Sequence, residues 1–354
     1  MPKKIRAALM GIGNSASIFV QGLAYYRKKG EAPGLWHPNL GGQSIESIEI
    51  VEAFDVNPTK VGHDLGEAIF AKPNTVGKYV NVGKTGVTVR KGTLLDPLPK
   101  DVAEMISAKE GKGEDVAKVL KASRVDVVLN LIPSGLDKTS KAYADAALQA
   151  GCSFINCTPS PIARDPATAA AFAKKGLLVV GDDLMSQFGG TAFHRGILEF
   201  MESRGIRSVK SYQLDVGGGA ETLNTVDERN KMVKREIKTS AIASEVPYNM
   251  EIVTGTTEYV DYMENNRTSY YWILGEGFLG APIKMDIYLR TSDGPNAANI
   301  LFDVVRAVQT SREKKQYGAP NEICGYGFKK PPEKLRLDKA YEKFSKTFLK
   351  AKPA

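Results

Sequence analysis

The sequence predicts an α/β fold: a doubly wound parallel sheet joined to an α+β second domain whose sheet is mainly antiparallel. Three observations predict it. Short apolar strands alternate with amphipathic helices through residues 1–195. Polar segments containing Gly or Pro recur where those strands end. Beyond residue 195 the strands become longer and strictly alternating, with one clear helix among them at about residues 226–243. The expected division is residues 1–195 with 296–354 for the first domain and 196–295 for the second.

In chain order, KIRAALMGIG reads as a strand that ends in glycines, and NSASIFVQGLAYYRKKG as the helix after it. The turn-rich stretch at 33–43 interrupts the pattern before a second strand, which ends at Asp55, and a helix through DLGEAIF. VTVRKGTLLD reads as hairpin strands, and residues 101–123 as helical. VDVVLNLIPSG, CSFINCTPSP and LLVVGDDL are three further strands, separated by the helices SKAYADAALQAG and PATAAAFAKKG. The second half brings the alternating strands RSVKSYQLDVGGG, YYWILGEG and IKMDIYLRT. A long helix, GPNAANILFDVVRAVQTSREKK, follows, with Asn296 as its cap, and returns the chain to the first domain.

Composition narrows the function classes. A hydrophobic content of 42% and a charged content of 25% are those of a globular protein, and no run approaches the roughly 20 apolar residues of a spanning helix. Three cysteines, Cys152, Cys157 and Cys324, argue against a disulfide framework and for a reducing cytoplasm. With three scattered histidines they complete no metal set. The net charge of +8 does not mark a nucleic-acid binder, because residues 329–354 hold nine Lys/Arg against three Asp/Glu and so supply six of the excess charges. DKAYEKFSKTFLK places Tyr341, Phe344, Phe348 and Leu349 at helical spacing, as in a helix docked on the body with a solvated basic face, and not a membrane anchor.

The candidate chemistry lies at the strand ends. In GIGNSAS, Gly11 permits a tight turn, Gly13 admits close approach of a pyrophosphate, and the helix start offers free N–H groups. Ala16 stands near the third glycine of the usual fingerprint. Asp55 at the next strand end can accept ribose hydroxyls and would repel a 2′-phosphate, so the pattern is Rossmann-type and specifies NAD. NLIPSG and INCTPSP add Pro133, Ser134, Asn156 and Thr158 to the same edge. In GDDLMSQFGGT, Asp183 ends a strand, while Ser186, Gln187, Gly189, Gly190 and Thr191 open a helix and could bind a phosphate or merely cap it. Lys234 and Lys238 are four apart on one helix face, a solvated basic face or a pair that neutralises developing anionic charge.

Taken together, GIGNSAS, FDVNPTKVG, GDD-x-x-SQ-x-G-x-T-x-x-HR, K-x-x-x-KT, SDGPNAA and Y-x-x-KKPP resemble the NAD-dependent myo-inositol-1-phosphate synthase family, particularly its shorter prokaryotic members. The resemblance implies an isomerase that uses NAD to oxidise a hydroxyl of a hexose 6-phosphate (glucose 6-phosphate), enolises it, closes the ring by an intramolecular aldol step and re-reduces it to an inositol phosphate. That activity belongs to inositol and phospholipid biosynthesis. By position, the resemblance makes Lys234, Lys238 and Lys329 catalytic lysines, and Asp293 an acid near the nicotinamide. It puts Gly11, Gly13, Asn14, Ser15, Ala16, Asp55, Thr158 and Asp183 at the cofactor, and Ser186, Gln187 and Thr191 near the substrate phosphate. It also implies a cytoplasmic homo-oligomer, a dimer or a tetramer. Four positions depart from the family pattern: Met185 and Arg267 stand where lysines are expected, and Gly219 and Glu221 where an Asn and an Asp are expected. They keep two other readings open, a net NAD-dependent sugar-phosphate oxidoreductase and a non-catalytic homologue that binds NAD or a sugar phosphate.

Overall fold

The computed structural model describes residues 4–29 and 34–349. Its first sheet has six strands: β1 (Ile5–Met10), β2 (Ile48–Asp55), β3 (Val89–Lys91), β4 (Val127–Asn130), β5 (Ser153–Asn156) and β6 (Val179–Val180). Their spatial order is β3-β2-β1-β4-β5-β6, with every pairing parallel. Both faces are covered by helices, which is why β4 and β5 are buried at every position. The strand order reverses at β1 and β4, and there the carboxyl ends of the strands open a crevice.

Around this sheet lie α1 (Asn14–Lys29), α2 (Val116–Ala122), α3 (Asp137–Ala150) and α4 (Pro166–Lys174). The Asp165 carboxylate caps α4 by accepting from the N–H of Thr168 at 3.1 Å, with Pro166 at the first helical position. Two elements differ from the sequence expectation. The hairpin expected in VTVRKGTLLD is the single strand β3, parallel to β2 in register Asp55↔Lys91, and the chain beyond it bridges Leu94 to Gly111 instead of folding back on β3. The helical stretch at 101–123 is broken into Lys100–Ile106 and α2, which Asp115 restarts by accepting from the N–H of Lys118.

The second sheet contains β7 (Arg207–Gly217), β8 (Glu251–Tyr259), β9 (Asn266–Glu276) and β10 (Pro282–Ser292), in the order β8-β7-β9-β10. β7–β9 and β9–β10 are antiparallel, while β8 runs parallel to β7. The parallel step follows from α6 (Glu228–Ala243), the helix that carries the chain across between them. α5 (Gly190–Ser203) and α6 pack against one face of this sheet, with Leu198, Met201, Ile242, Tyr271 and Ile273 in a core of their own. The expected division after residue 195 falls within α5. The other face carries Tyr212, Tyr270 and Tyr288 in a ladder of rings 6.3 and 5.0 Å apart.

α7 (Asp293–Glu313) leads back to the first sheet and packs on α1, where Phe19 stacks on Phe302 at 4.7 Å. Its cap position is Ser292, so Asn296 lies inside the first turn and donates its amide to the Ser292 carbonyl at 3.2 Å instead of capping the helix. α8 (Leu337–Phe348) buries Ala340, Phe344 and Phe348 and leaves Lys339, Lys343 and Lys346 exposed, as an amphipathic pattern requires. Residues 350–354 of the basic tail lie outside the described residues.

Candidate functional site

One cleft of about 330 Å³ runs from the glycine turn of the first sheet to the charged face of the second. Gly11, with φ of 88°, donates its N–H to the Phe54 carbonyl at 2.8 Å and locks β1 to β2. A Cβ there would stand 3.0 Å from the Leu131 carbonyl oxygen, so both the dihedral and the space call for glycine. At Gly13 a Cβ would meet nothing within 4 Å, and the position faces open cleft at the start of α1. Asp55 accepts from the N–H of Ile12 at 2.6 Å and from that of Asn57 at 2.8 Å, which clamps the turn to the end of β2.

Ser15, Pro133, Ser134 and Thr158 also line this end of the cleft. Asn14 lines it too, but its amide oxygen accepts from the N–H groups of Thr75 and Val76 at 2.9 and 3.2 Å, so its side chain orders a loop. Two expected cofactor residues stand back from the cleft. Ala16 is fully buried in the core beneath α1. Asn156, also fully buried, donates to the Ser160 carbonyl and the Asp182 carboxylate, both at 2.8 Å, because a buried amide must use its donors on its neighbours. It shapes the loop that presents Thr158.

The opposite wall is built from charged side chains. Asp183, with φ of 60°, follows β6 in the left-handed region and turns its carboxylate inward. Its Oδ1 accepts from Lys329 at 3.0 Å and from Lys234 at 3.4 Å. Lys234 also lies 3.4 Å from Glu221, whose carboxylate takes the Ser134 hydroxyl in a short hydrogen bond. Lys238, one turn further along α6, donates to Asp215 at 2.6 Å. Arg267 forms an ion pair with Asp293 at 2.8 Å, because β9 and β10 pair Arg267 with Thr291 and Asp293 starts the next helix. The lysines that would repel as a solvated pair therefore each have a buried carboxylate.

Burial pulls the Lys329 ammonium below its ordinary range, and Lys234 and Lys238 add to this against the pull of Asp183. For Lys234 burial acts in the same direction, but Asp183 and Glu221 outweigh it and raise the group. Asp183 and Asp215 are both held below the usual carboxylate range: burial pushes them up, and the neighbouring cations more than offset it. Asp183 Oδ2 and Arg267 Nε are buried without a hydrogen-bond partner among the described residues. Each leaves an unmet polar demand in the cleft.

Between the two walls, Ser186, Gly189, Gly190 and Thr191 line the cleft at the N-terminal end of the 14-residue helix α5. Gln187 does not: its N–H donates to the Asn296 carbonyl at 3.0 Å and its amide oxygen accepts from Asn299 at 2.5 Å. Met185 is likewise turned away, buried against the Arg195 guanidinium at 3.7 Å. Its lack of charge therefore does not alter the cleft lining.

Asp215, Gln213 and Ser269 belong to the site and were not singled out by motif. Ser211, Gln213 and Asp215 occupy successive inward positions of β7. Three polar residues at inward strand positions are the signal that would have found Gln213 and Asp215. β7 and β9 pair Asp215 with Ser269, whose hydroxyl donates to the carboxylate at 2.5 Å.

A parallel sheet in this order, with a glycine turn at its first strand and a cleft at its switch point, defines the Rossmann-type class. The family follows from comparison with known proteins. Residues 189–294 match the family described as myo-inositol-1-phosphate synthase. An inositol-3-phosphate synthase of Mycolicibacterium smegmatis is 35% identical, the match covering 95% of this chain and 96% of that protein. One of Corynebacterium glutamicum is 34% identical, with 98% and 99% covered. Among solved structures, Ari2 superposes with a TM-score of 0.77 at 30% identity, covering 97% of this chain and 99% of that one. A myo-inositol-1-phosphate synthase-related protein of Thermotoga maritima gives 0.82 at 23% identity, with 97% of each chain covered. The chain belongs to the inositol-phosphate synthase family.

Proposed function

We propose that this protein is an NAD-dependent cyclase that converts a hexose 6-phosphate, glucose 6-phosphate first among them, to an inositol phosphate. The observation that carries the reading is the convergence of Lys234, Lys238, Lys329 and Arg267 on the cleft wall opposite the glycine turn. A sugar phosphate undergoing enolisation and aldol closure develops anionic oxygen, and fixed cations in a buried cleft stabilise it. Membership of the family, at 35% identity along nearly the whole chain, points the same way.

The residues present fit NAD: Gly13 leaves open space at the first turn of α1, whose N–H groups have no intrahelical acceptor, and Asp55 offers a carboxylate at the ribose end. When bound, NAD supplies a hydride acceptor for the oxidation and a hydride donor for the closing reduction. Asp55 orients the ribose and disfavours a 2′-phosphate. Ser186, Gly189, Gly190 and Thr191 bind the substrate phosphate at the start of α5. Lys329, whose proton is loosened by burial and by its lysine neighbours, moves protons at the reacting carbons. Lys234 and Lys238, each held by a carboxylate, neutralise the developing oxyanion. Arg267 holds substrate as a planar fork while Asp293 fixes its orientation.

The tyrosine ladder on the outer face of the second sheet, with Tyr288 72% exposed, supports a homo-oligomer formed through that face. No described helix is long and apolar enough to cross a membrane. Incubation with NAD and glucose 6-phosphate tests the reading. An inositol phosphate should form with no net NADH, whereas stoichiometric NADH without a cyclitol makes the protein a net oxidoreductase. No turnover with retained NAD binding makes it a non-catalytic homologue.

A further inference from the structure

Behind Lys238 lies a buried polar chain that the proposed reaction does not use directly. Asp215 is 1% exposed and accepts from Lys238 on α6, from Ser269 on β9 and from Gln213 on its own strand, the last at 3.0 and 3.1 Å to its two oxygens. Gln213 in turn faces His194 Nδ1 on α5 at 3.0 Å, and His194 Nε2 meets the Ser211 hydroxyl in a short hydrogen bond. Gln213 and His194 are fully buried and Ser211 is nearly so.

The donor directions follow from the end of the chain. An ionised Asp215 only accepts, so Gln213 must present its amide NH₂ to it and its carbonyl oxygen to His194. His194 must then donate from Nδ1, which leaves Nε2 bare to accept the Ser211 hydroxyl. Burial keeps the ring neutral, with its pKa pushed down to about 4 against the weaker pulls of Gln213 and Asp215. Among the described residues, the other charged or titratable groups around Asp215 and Lys238 include Arg267 and Tyr271 on β9, Lys234 on α6 and Lys329.

The geometry points to His194 and Gln213 as positioning residues that set the orientation of Asp215 and, through it, the placement of the Lys238 ammonium in the cleft. Every donor in the chain points toward the carboxylate, so Gln213 spans both oxygens of Asp215, Ser269 holds Oδ1, and Oδ2 is left to face Lys238. The inference rests on the proposed role of Lys238, and its first test does not depend on turnover.

The chain contains three histidines, so the full-length protein labelled with ¹⁵N-histidine gives a spectrum in which His194 is assigned by its loss in His194→Asn. The expected result is an Nδ1-protonated neutral ring that does not titrate between about pH 9 and pH 5. An Nε2-protonated ring, or titration near the ordinary histidine value, overturns the chain. The second test is kinetic. His194→Asn keeps a donor near the Nδ1 position and should retain kcat, while His194→Leu and Gln213→Leu should lower kcat about tenfold with KM unchanged. Equal kcat in all four proteins overturns the positioning role. Absence of any cyclase activity in the wild type refutes the proposed reaction and leaves the histidine spectrum to decide this inference.

Discussion

The two walls of the cleft are made of different material. The wall at Gly11–Ser15 is backbone: a turn, a helix start and one carboxylate, Asp55, that clamps the turn through the N–H of Ile12. The wall at Asp183, Asp215 and α6 is charged side chains gathered from separate parts of the chain, each lysine paired with a buried carboxylate and Arg267 with the half-buried Asp293. A backbone cradle binds by shape and tolerates few residue types. An ion-paired wall can be retuned one side chain at a time, and the departures at Glu221 and Arg267 both fall on it.

The comparison breaks first at the lysines. Lys234→Ala and Lys238→Ala should each lower cyclisation about a thousandfold, measured as inositol phosphate formed, while NAD affinity by titration stays as in the wild type. A loss of NAD binding in either variant would show that the walls are not separable. Next comes the cradle. Gly13→Val should weaken NAD binding by at least about tenfold and leave the melting temperature unchanged, because its side chain would enter open cleft. Gly11→Ala should instead destabilise the fold by about 1–3 kcal/mol, seen in chemical denaturation, because φ and the Leu131 carbonyl both oppose it.

Arg267→Lys keeps the charge and loses the fork, and should raise KM for the sugar phosphate about tenfold. Met185→Lys restores the residue type the family pattern expects, yet it should lower stability by about 1–3 kcal/mol without raising turnover. The new ammonium would be buried beside Arg195, outside the cleft. The smallest effect is in acid. Asp183 and Asp215 bind their protons more weakly folded than unfolded, so their stabilisation is complete above about pH 4 and drains away as the pH falls through the lower folded values. Urea midpoints of Asp215→Asn and wild type should therefore converge as the pH is lowered toward 2; a constant gap would mean that the charge of Asp215 contributes nothing.

Much of this architecture is legible in the chain itself. The alternation of apolar strands and helices, glycines at the end of β1 and an acid at the end of β2 determine a Rossmann-type sheet and the edge where its cleft opens, because these are local patterns with periods of 2 and 3.6 residues. The four-residue spacing of Lys234 and Lys238 likewise determines that they share a face. The chain alone does not show which side chains the folded packing leaves room to turn inward. Asn156 and Gln187 sit in the right segments and are drawn off by buried partners, while Asp215 lies in no motif and enters through the pairing of β7 with β9. Nor does spacing reveal that Asp183 unites Lys234 with Lys329, residues far apart in sequence that meet only when α6 and the segment beyond α7 close over the end of β6. Local periodicity fixes elements and faces, whereas the partner of a buried charge is settled by which elements pack together, since a buried charge must be satisfied by whatever the fold brings within reach.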